Sequence, residues 1–325
     1  MNRIGRIAAV SCILALGAAS AARAEFAQIY VFGDSLSDDG NVFALTSGLY
    51  PPSPPYAEHF SNGPVAVDRL AADLGVSLSA SAAGGTNYAV GGATTGAANL
   101  LAETNGALKP LLDNTGIGIQ VANFTGASQA FNPASSLFVV WGGPNDISLS
   151  PTPATAAQAV ANLVGEIASL AGAGAQHFLV PNMPDLSLTP YGRSLNQANR
   201  DGLHDLSVGF DAGLAQAVAG LQVHLGGSAD IVLFDTRSAL DSVVTNPGAN
   251  GFSDVATPCF DGSTVCADPE QYLFWDSVHP TLHGHRILGD AFAAAVPEPS
   301  THFLLALGLI VLAMVWRRVA ERVRS

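Results

Sequence analysis

The sequence predicts a three-layer α/β/α domain on a parallel sheet of about five strands. Three observations lead there. Short runs rich in β-branched and aromatic residues recur at 29–32, 136–141, 176–180 and 230–234, and a further strand end falls at 88–90. Stretches of helical spacing at 65–74, 152–173 and 195–225 lie between them, the last interrupted by glycines. No internal repeat or linker breaks residues 25–295, which read as one α/β domain with its sheet covered on both faces.

The 325 residues are 48% hydrophobic and 12% charged, enough apolar material for a sizeable core. Both ends stand apart from it. Residues 1–24 carry Arg3 and Arg6, an apolar run over 7–19, and Ala22, Arg23 and Ala24 in an A-x-A cleavage pattern. They read as a secretory signal peptide, with Glu25 the first mature residue and Cys12 leaving with the leader. At the other end, Pro297, Glu298 and Pro299 precede an apolar segment at 303–316, followed by Arg317, Arg318, Arg322 and Arg324. The segment is short for a membrane span, but Thr301, His302 and snorkelling arginines extend its reach. The positive-inside rule keeps the arginines cytoplasmic and puts the domain across the membrane. A last amphipathic helix is the rival reading, and an all-round apolar run argues against it.

Between these ends, residues 25–296 hold six basic and 24 acidic residues, a formal charge of −18. Such a surface repels polyanions, so no nucleic acid is expected as a partner. Six residues separate Cys259 from Cys266, and in an exported chain the two are expected to form a disulfide.

Taken in order, the first strand at 29–32 ends in Gly33 and runs straight into Asp34 and Ser35, then Asp38, Asp39, Gly40 and Asn41. A serine between a strand end and a helix start is well placed as a nucleophile. Its own N–H would join the unpaired donors of the helix N-terminus, which can stabilise an oxyanion. A capping serine is the plainer alternative. Residues 47–64, with Pro51, Pro52, Pro54 and Pro55, form a stiff loop. Gly91 and Gly92 follow the strand end at 88–90; they serve either a flexible turn or a close backbone approach to a ligand. The strand at 136–141 leads to Gly143, Pro144, Asn145 and Asp146, where the Asn145 amide can donate to a developing negative charge. Asp146 is expected to buttress this loop.

Near the end of the domain, Asp276 and His279 are three apart, a spacing that one helical turn would place on the same side. The carboxylate can then accept from Nδ1–H and leave Nε2 as a base. His283 and His285 follow, so a metal-dependent hydrolase using His279, His283 and His285 is a rival. It would leave Ser35, Gly91 and Asn145 unexplained, whereas the serine reading uses all three and calls for no cofactor. A third possibility is an inactive surface or matrix protein that keeps only the fold.

Four blocks in order, around Ser35, around Asn87 to Gly92, around Gly143 to Asp146 and from Asp276 to Thr281, resemble those of the GDSL lipases and acylhydrolases, also called SGNH hydrolases. The match spans 29–281 and looks most like the lecithinase and haemolysin-like branch. It implies a flavodoxin-like parallel sheet and an esterase or lipase acting on lipid or short-chain acyl esters. By position it implies Ser35, His279 and Asp276 as a catalytic triad. The implied oxyanion donors are Ser35, Gly91 and Asn145, with Gly92 the alternative to Gly91. The arrangement of Pro297 to Pro299, apolar segment and arginines resembles the PEP-CTERM sorting signal. It implies processing by an exosortase-type enzyme, from an inner-membrane-anchored precursor to a cell-surface or extracellular product.

Overall fold

Strand β1, Gln28–Gly33, has five of its six residues buried, and β2, Ser136–Trp141, is buried throughout. A strand covered on both faces must be apolar at nearly every position, as these are. β3, His177–Pro181, and β4, Asp230–Phe234, complete a parallel sheet of order β1-β2-β3-β4. The computed structural model describes residues 26–297. The expected signal peptide and the apolar segment at 303–316 lie outside the described residues. Among the described residues, no helix is long and apolar enough to cross a membrane.

The strand end expected at 88–90 is an extended segment on the free edge of β1. Val31 N–H donates to Thr86 O, Tyr88 N–H to Val31 O, and Val90 N–H to Gly33 O, with Asn87 bridged in parallel to Val31. It occupies a fifth position beside the four-stranded sheet and brings the second glycine block to the end of β1.

Alternation along the strands sorts the two faces. Tyr30, Phe32, Phe138, Val140, Phe178 and Val180 pack in one cluster with residues of three helices, Ile117–Gly126, Pro153–Gly172 and Gln197–Leu225. Phe138 is stacked on Tyr30 at 5.0 Å between ring centres. Fully burying such a side chain stabilises the fold by about 1.5–3 kcal/mol. On the opposite face Trp141 and Phe234 both meet Phe292 edge-on, the last from the helix Leu282–Ala295. That helix packs against Ala66–Leu74.

Gln197–Leu225 runs unbroken through Gly202, Gly209, Gly213 and Gly220, where the sequence suggested interruption. Each helical glycine costs about 1 kcal/mol against alanine, but the buried row Leu203, Phe210, Leu214, Val218 and Leu221 holds the helix on the sheet. A short parallel pair, β5 (Asp254–Pro258) with β6 (Tyr272–Phe274), lies outside the main sheet. Between its strands, Cys259 and Cys266 are joined by a disulfide.

Candidate active site

β1 and β2 end side by side, with Gly33 paired to Trp141. A side chain on Gly33 would place its Cβ 2.8 Å from Trp141 O, so the strand end is glycine because a neighbouring backbone occupies that space. The chain then turns: Ser37 N–H and Asp38 N–H both donate to Asp34 O. Ser35 is therefore in a tight turn, not at the start of a helix as its sequence context suggests; the helix begins at Asn41. Asp38 explains the delay. Its carboxylate accepts from the N–H groups of Gly40, Asn41 and Val42, capping that helix.

Asp38 also reaches across to the second glycine block, where its Oδ2 accepts the Gly91 N–H at 2.8 Å. Asn41 donates to Asn87 O and Ala89 O, and Asn87 donates to Ser37 O. These buried bonds lock the two blocks together. They also correct the expectation for Gly91, whose N–H is spent on Asp38. Gly92 takes its place on the cavity wall. It has φ +81°, in the left-handed region, and no group among the described residues accepts from its N–H.

Asn145, just after β2 in the short helix Pro144–Leu149, is buried and points at the same turn. Its Nδ2 donates to Ala93 O at 2.9 Å and, at 3.3 Å, to Asp34 Oδ2. Burial pushes the Asp34 carboxyl up to about 7, against the lowering effect of the Leu36 N–H and His279. Asp146 holds Thr95 through both carboxylate oxygens, accepting from its N–H and its hydroxyl.

From the far end of the chain, Asp276 and His279 arrive beside Ser35. His279 Nε2 is 2.8 Å from Ser35 Oγ, and His279 Nδ1 is 2.9 and 2.8 Å from the two Asp276 oxygens. A carboxylate only accepts, so Nδ1 carries the proton and the neutral ring accepts from Ser35 through Nε2. The spacing of Asp276 and His279 is not helical here. The two sit in a bend before the helix at Leu282, where Asp276 Oδ1 accepts from the N–H groups of Val278 and His279. Burial lowers the His279 pKa, but the charge and hydrogen bond of Asp276 outweigh it, and the imidazole sits above its ordinary 6.5. Burial raises Asp276, yet His279 and the two backbone N–H groups prevail and hold it below the usual carboxylate range.

The three clustered histidines go to separate partners. His283 Nδ1 meets Glu270 O at 2.7 Å, while His285 is buried with Ala66 N–H donating to its Nδ1. Among the described residues no group of three or more His, Cys, Asp or Glu could hold a metal ion. A cavity of about 600 Å³ opens over Ser35, with Tyr50, Phe60, Leu101, Trp141, Ile147 and Leu203 among its mostly apolar walls.

Sequence reasoning missed Asp38 as the tie between blocks, Asp34 as the partner of Asn145, and Tyr56, whose hydroxyl donates to Asp276 Oδ2. Asp38 could have been suspected from its place before Gly40-Asn41, a capping signal. Tyr56 lies 220 positions from Asp276 in a loop with no periodicity, and nothing local marks it.

Comparison with known proteins adds a consistent frame. The family model described as GDSL-like Lipase/Acylhydrolase matches residues 29–292, and that of the PEP-CTERM protein-sorting motif matches 295–319. A thermolabile hemolysin of Vibrio parahaemolyticus is 28% identical over 81% of this chain and 62% of its own length. The chain thus spans less than two thirds of that relative. A GDSL esterase/lipase of Arabidopsis thaliana is 27% identical over 85% of this chain and 88% of its own. A phosphatidylcholine-sterol acyltransferase of Aeromonas hydrophila is 26% identical over 90% and 96%.

Proposed function

The chain belongs to the GDSL-like lipase/acylhydrolase family, and on that premise we propose that it is a carboxylic ester hydrolase with Ser35 as nucleophile, His279 as general base and Asp276 as its orienting acid. The observation that carries the reading is the continuous array Ser35 Oγ, His279 Nε2, His279 Nδ1, Asp276, with each contact at 2.8–2.9 Å.

His279 Nε2 takes the Ser35 proton as Oγ bonds to the ester carbonyl carbon. The carbonyl oxygen becomes an oxyanion, held by the N–H groups of Ser35 and Gly92 and by Asn145 Nδ2. Asn145 exchanges its long bond to Asp34 for the oxyanion. Collapse expels the alcohol, which leaves with the proton from His279. Water then gives a proton to His279 as its oxygen bonds to the acyl carbon, and collapse releases the acid as His279 passes that proton to Ser35 Oγ, restoring both groups. The apolar cavity supports acyl esters as the substrate class, lipid or short-chain, and the name of the phosphatidylcholine-sterol acyltransferase relative favours lipid.

The sorting motif at 295–319 supports an exported protein sorted through the cell envelope. In our reading residues 1–24 are removed as a signal peptide, residues 25–295 are the catalytic domain, and the segment 303–316 anchors the precursor in the inner membrane. An exosortase-type enzyme then processes the tail, and the product reaches the surface or medium. A panel of p-nitrophenyl esters of rising chain length tests the activity. Turnover of at least one member supports it, and a folded, disulfide-intact protein inert on the whole panel contradicts it.

A further inference from the structure

We infer that Tyr56 is a positioning residue for the Ser35–His279–Asp276 array, holding through its hydroxyl the carboxylate oxygen that the backbone leaves free. This inference rests on the ester-hydrolase reading above. Asp276 Oδ1 is fixed by the N–H groups of Val278 and His279. Oδ2 has no backbone donor among the described residues; it accepts from Tyr56 Oη at 2.8 Å and lies 2.8 Å from His279 Nδ1. With donors on both oxygens, the carboxylate cannot turn about its Cβ–Cγ bond without breaking a charge-assisted hydrogen bond. Its plane, and hence the imidazole it orients, is set from two directions.

Tyr56 is itself held. Its ring stands edge-on to Phe260 at 5.7 Å and to Trp275 at 6.1 Å, and those two rings stack on each other at 5.8 Å. Phe260 follows Cys259 of the disulfide, and its N–H donates to Trp275 O. The Pro-rich loop is thus tied to the acid end of the array as well as lining the cavity. Burial, with the charge of Asp276 adding to it, pushes the Tyr56 phenol up, so it remains a donor throughout the working range. The other charged or titratable groups around His279 and Asp276 are Asp34, His285 and Tyr50.

A donor on Oδ2 draws negative charge away from His279. Removing it leaves more of that charge to stabilise the imidazolium, so the imidazole becomes more basic. Tyr56→Phe deletes only the hydroxyl and keeps the ring against Phe260 and Trp275. Nitrogen-15 NMR titration of His279, in full-length wild-type and variant protein, reads the effect without turnover. The expected result is a rise in the His279 pKa of about half a unit or more. Alongside it, kcat on p-nitrophenyl butyrate should fall about 3- to 10-fold with KM nearly unchanged, the loss of one hydrogen bond's worth of orientation. An unmoved His279 pKa overturns the proposal, even if activity drops. If Tyr56→Phe does not fold, 3-fluorotyrosine at position 56 strengthens the donor and should move the His279 pKa downward; no shift again overturns it. A wild-type protein that turns over no ester would sink the hydrolase reading separately, leaving the titration to decide on Tyr56.

Discussion

Asp38 accepts the Gly91 N–H at 2.8 Å, and in doing so it removes from the cavity the donor that the order of the sequence blocks favours. In the proposed mechanism the oxyanion role falls to the next residue, Gly92, which lines the cavity. Replacing the backbone amide of Gly92 by an ester, with glycolic acid in place of glycine, deletes that N–H and otherwise only weakens Gly91 O as the acceptor of Asn99 Nδ2. The expected loss is about 100- to 1000-fold in kcat, typical of one oxyanion donor. The same replacement at Gly91 should chiefly lower stability, because a buried carboxylate oxygen then keeps only one of its two donors, the Val42 N–H. Steady-state kinetics and thermal melts of the two proteins distinguish them; the reverse pattern would return the role to Gly91.

Asn145→Ala should also cost about 100- to 1000-fold in kcat with a much smaller change in KM. Asn145 supports the loop through Ala93 O as well, so its melting temperature should fall modestly. An unchanged kcat would remove Asn145 from the oxyanion site.

The base form of His279 is neutral, so activity should vanish as pH falls through its pKa. Asp276 holds that pKa above 6.5. The acidic limb of kcat/KM should accordingly lie above the ordinary imidazole value. Asp34, at about 7, titrates in the same window and lies close enough to interact. The limb belongs to the pair, and Asp34→Asn should simplify it to a single ionisation. A limb centred below pH 6 would contradict the account.

Glu166 is buried in the helix Pro153–Gly172, and burial, with Asp146 adding to it, pushes its carboxyl up to about 9 from an ordinary 4.5. Between those two values the folded protein keeps a proton that the unfolded chain releases. Stability from this group is therefore full below about pH 4.5 and lost as pH rises toward 9, with a slope of up to about 1.4 kcal/mol per unit. Glu166→Gln should flatten that decline in urea unfolding at pH 5 and pH 8. Parallel declines in both proteins would show that Glu166 ionises freely.

Much of this architecture was legible in the chain. The four main strands are continuous apolar runs because both faces are covered, and that pattern is local. Ser35, Asn145, Asp276 and His279 sit beside strand ends, where turn residues mark them, and the structure brings all four around one cavity. What escaped depends on pairing across long separations. Tyr56 meets Asp276 from 220 positions away. Gly91 and Gly92 differ only in which one a distant Asp38 engages, and no periodicity encodes that. The helical spacing of Asp276 and His279 misled for a related reason: Asp276 caps its own turn, so the bend replaces the helix.

The central claim, that Ser35 is the group acylated in turnover, is tested most directly by labelling with a fluorophosphonate followed by intact-mass and peptide analysis. Wild-type protein should gain one adduct, located on Ser35, and lose ester hydrolysis in step with labelling. Ser35→Ala should take up no label, melt at nearly the wild-type temperature and show no turnover above background. A Ser35→Ala protein that still hydrolyses esters at near-wild-type kcat, or an adduct on another residue accompanying full inactivation, would contradict the account.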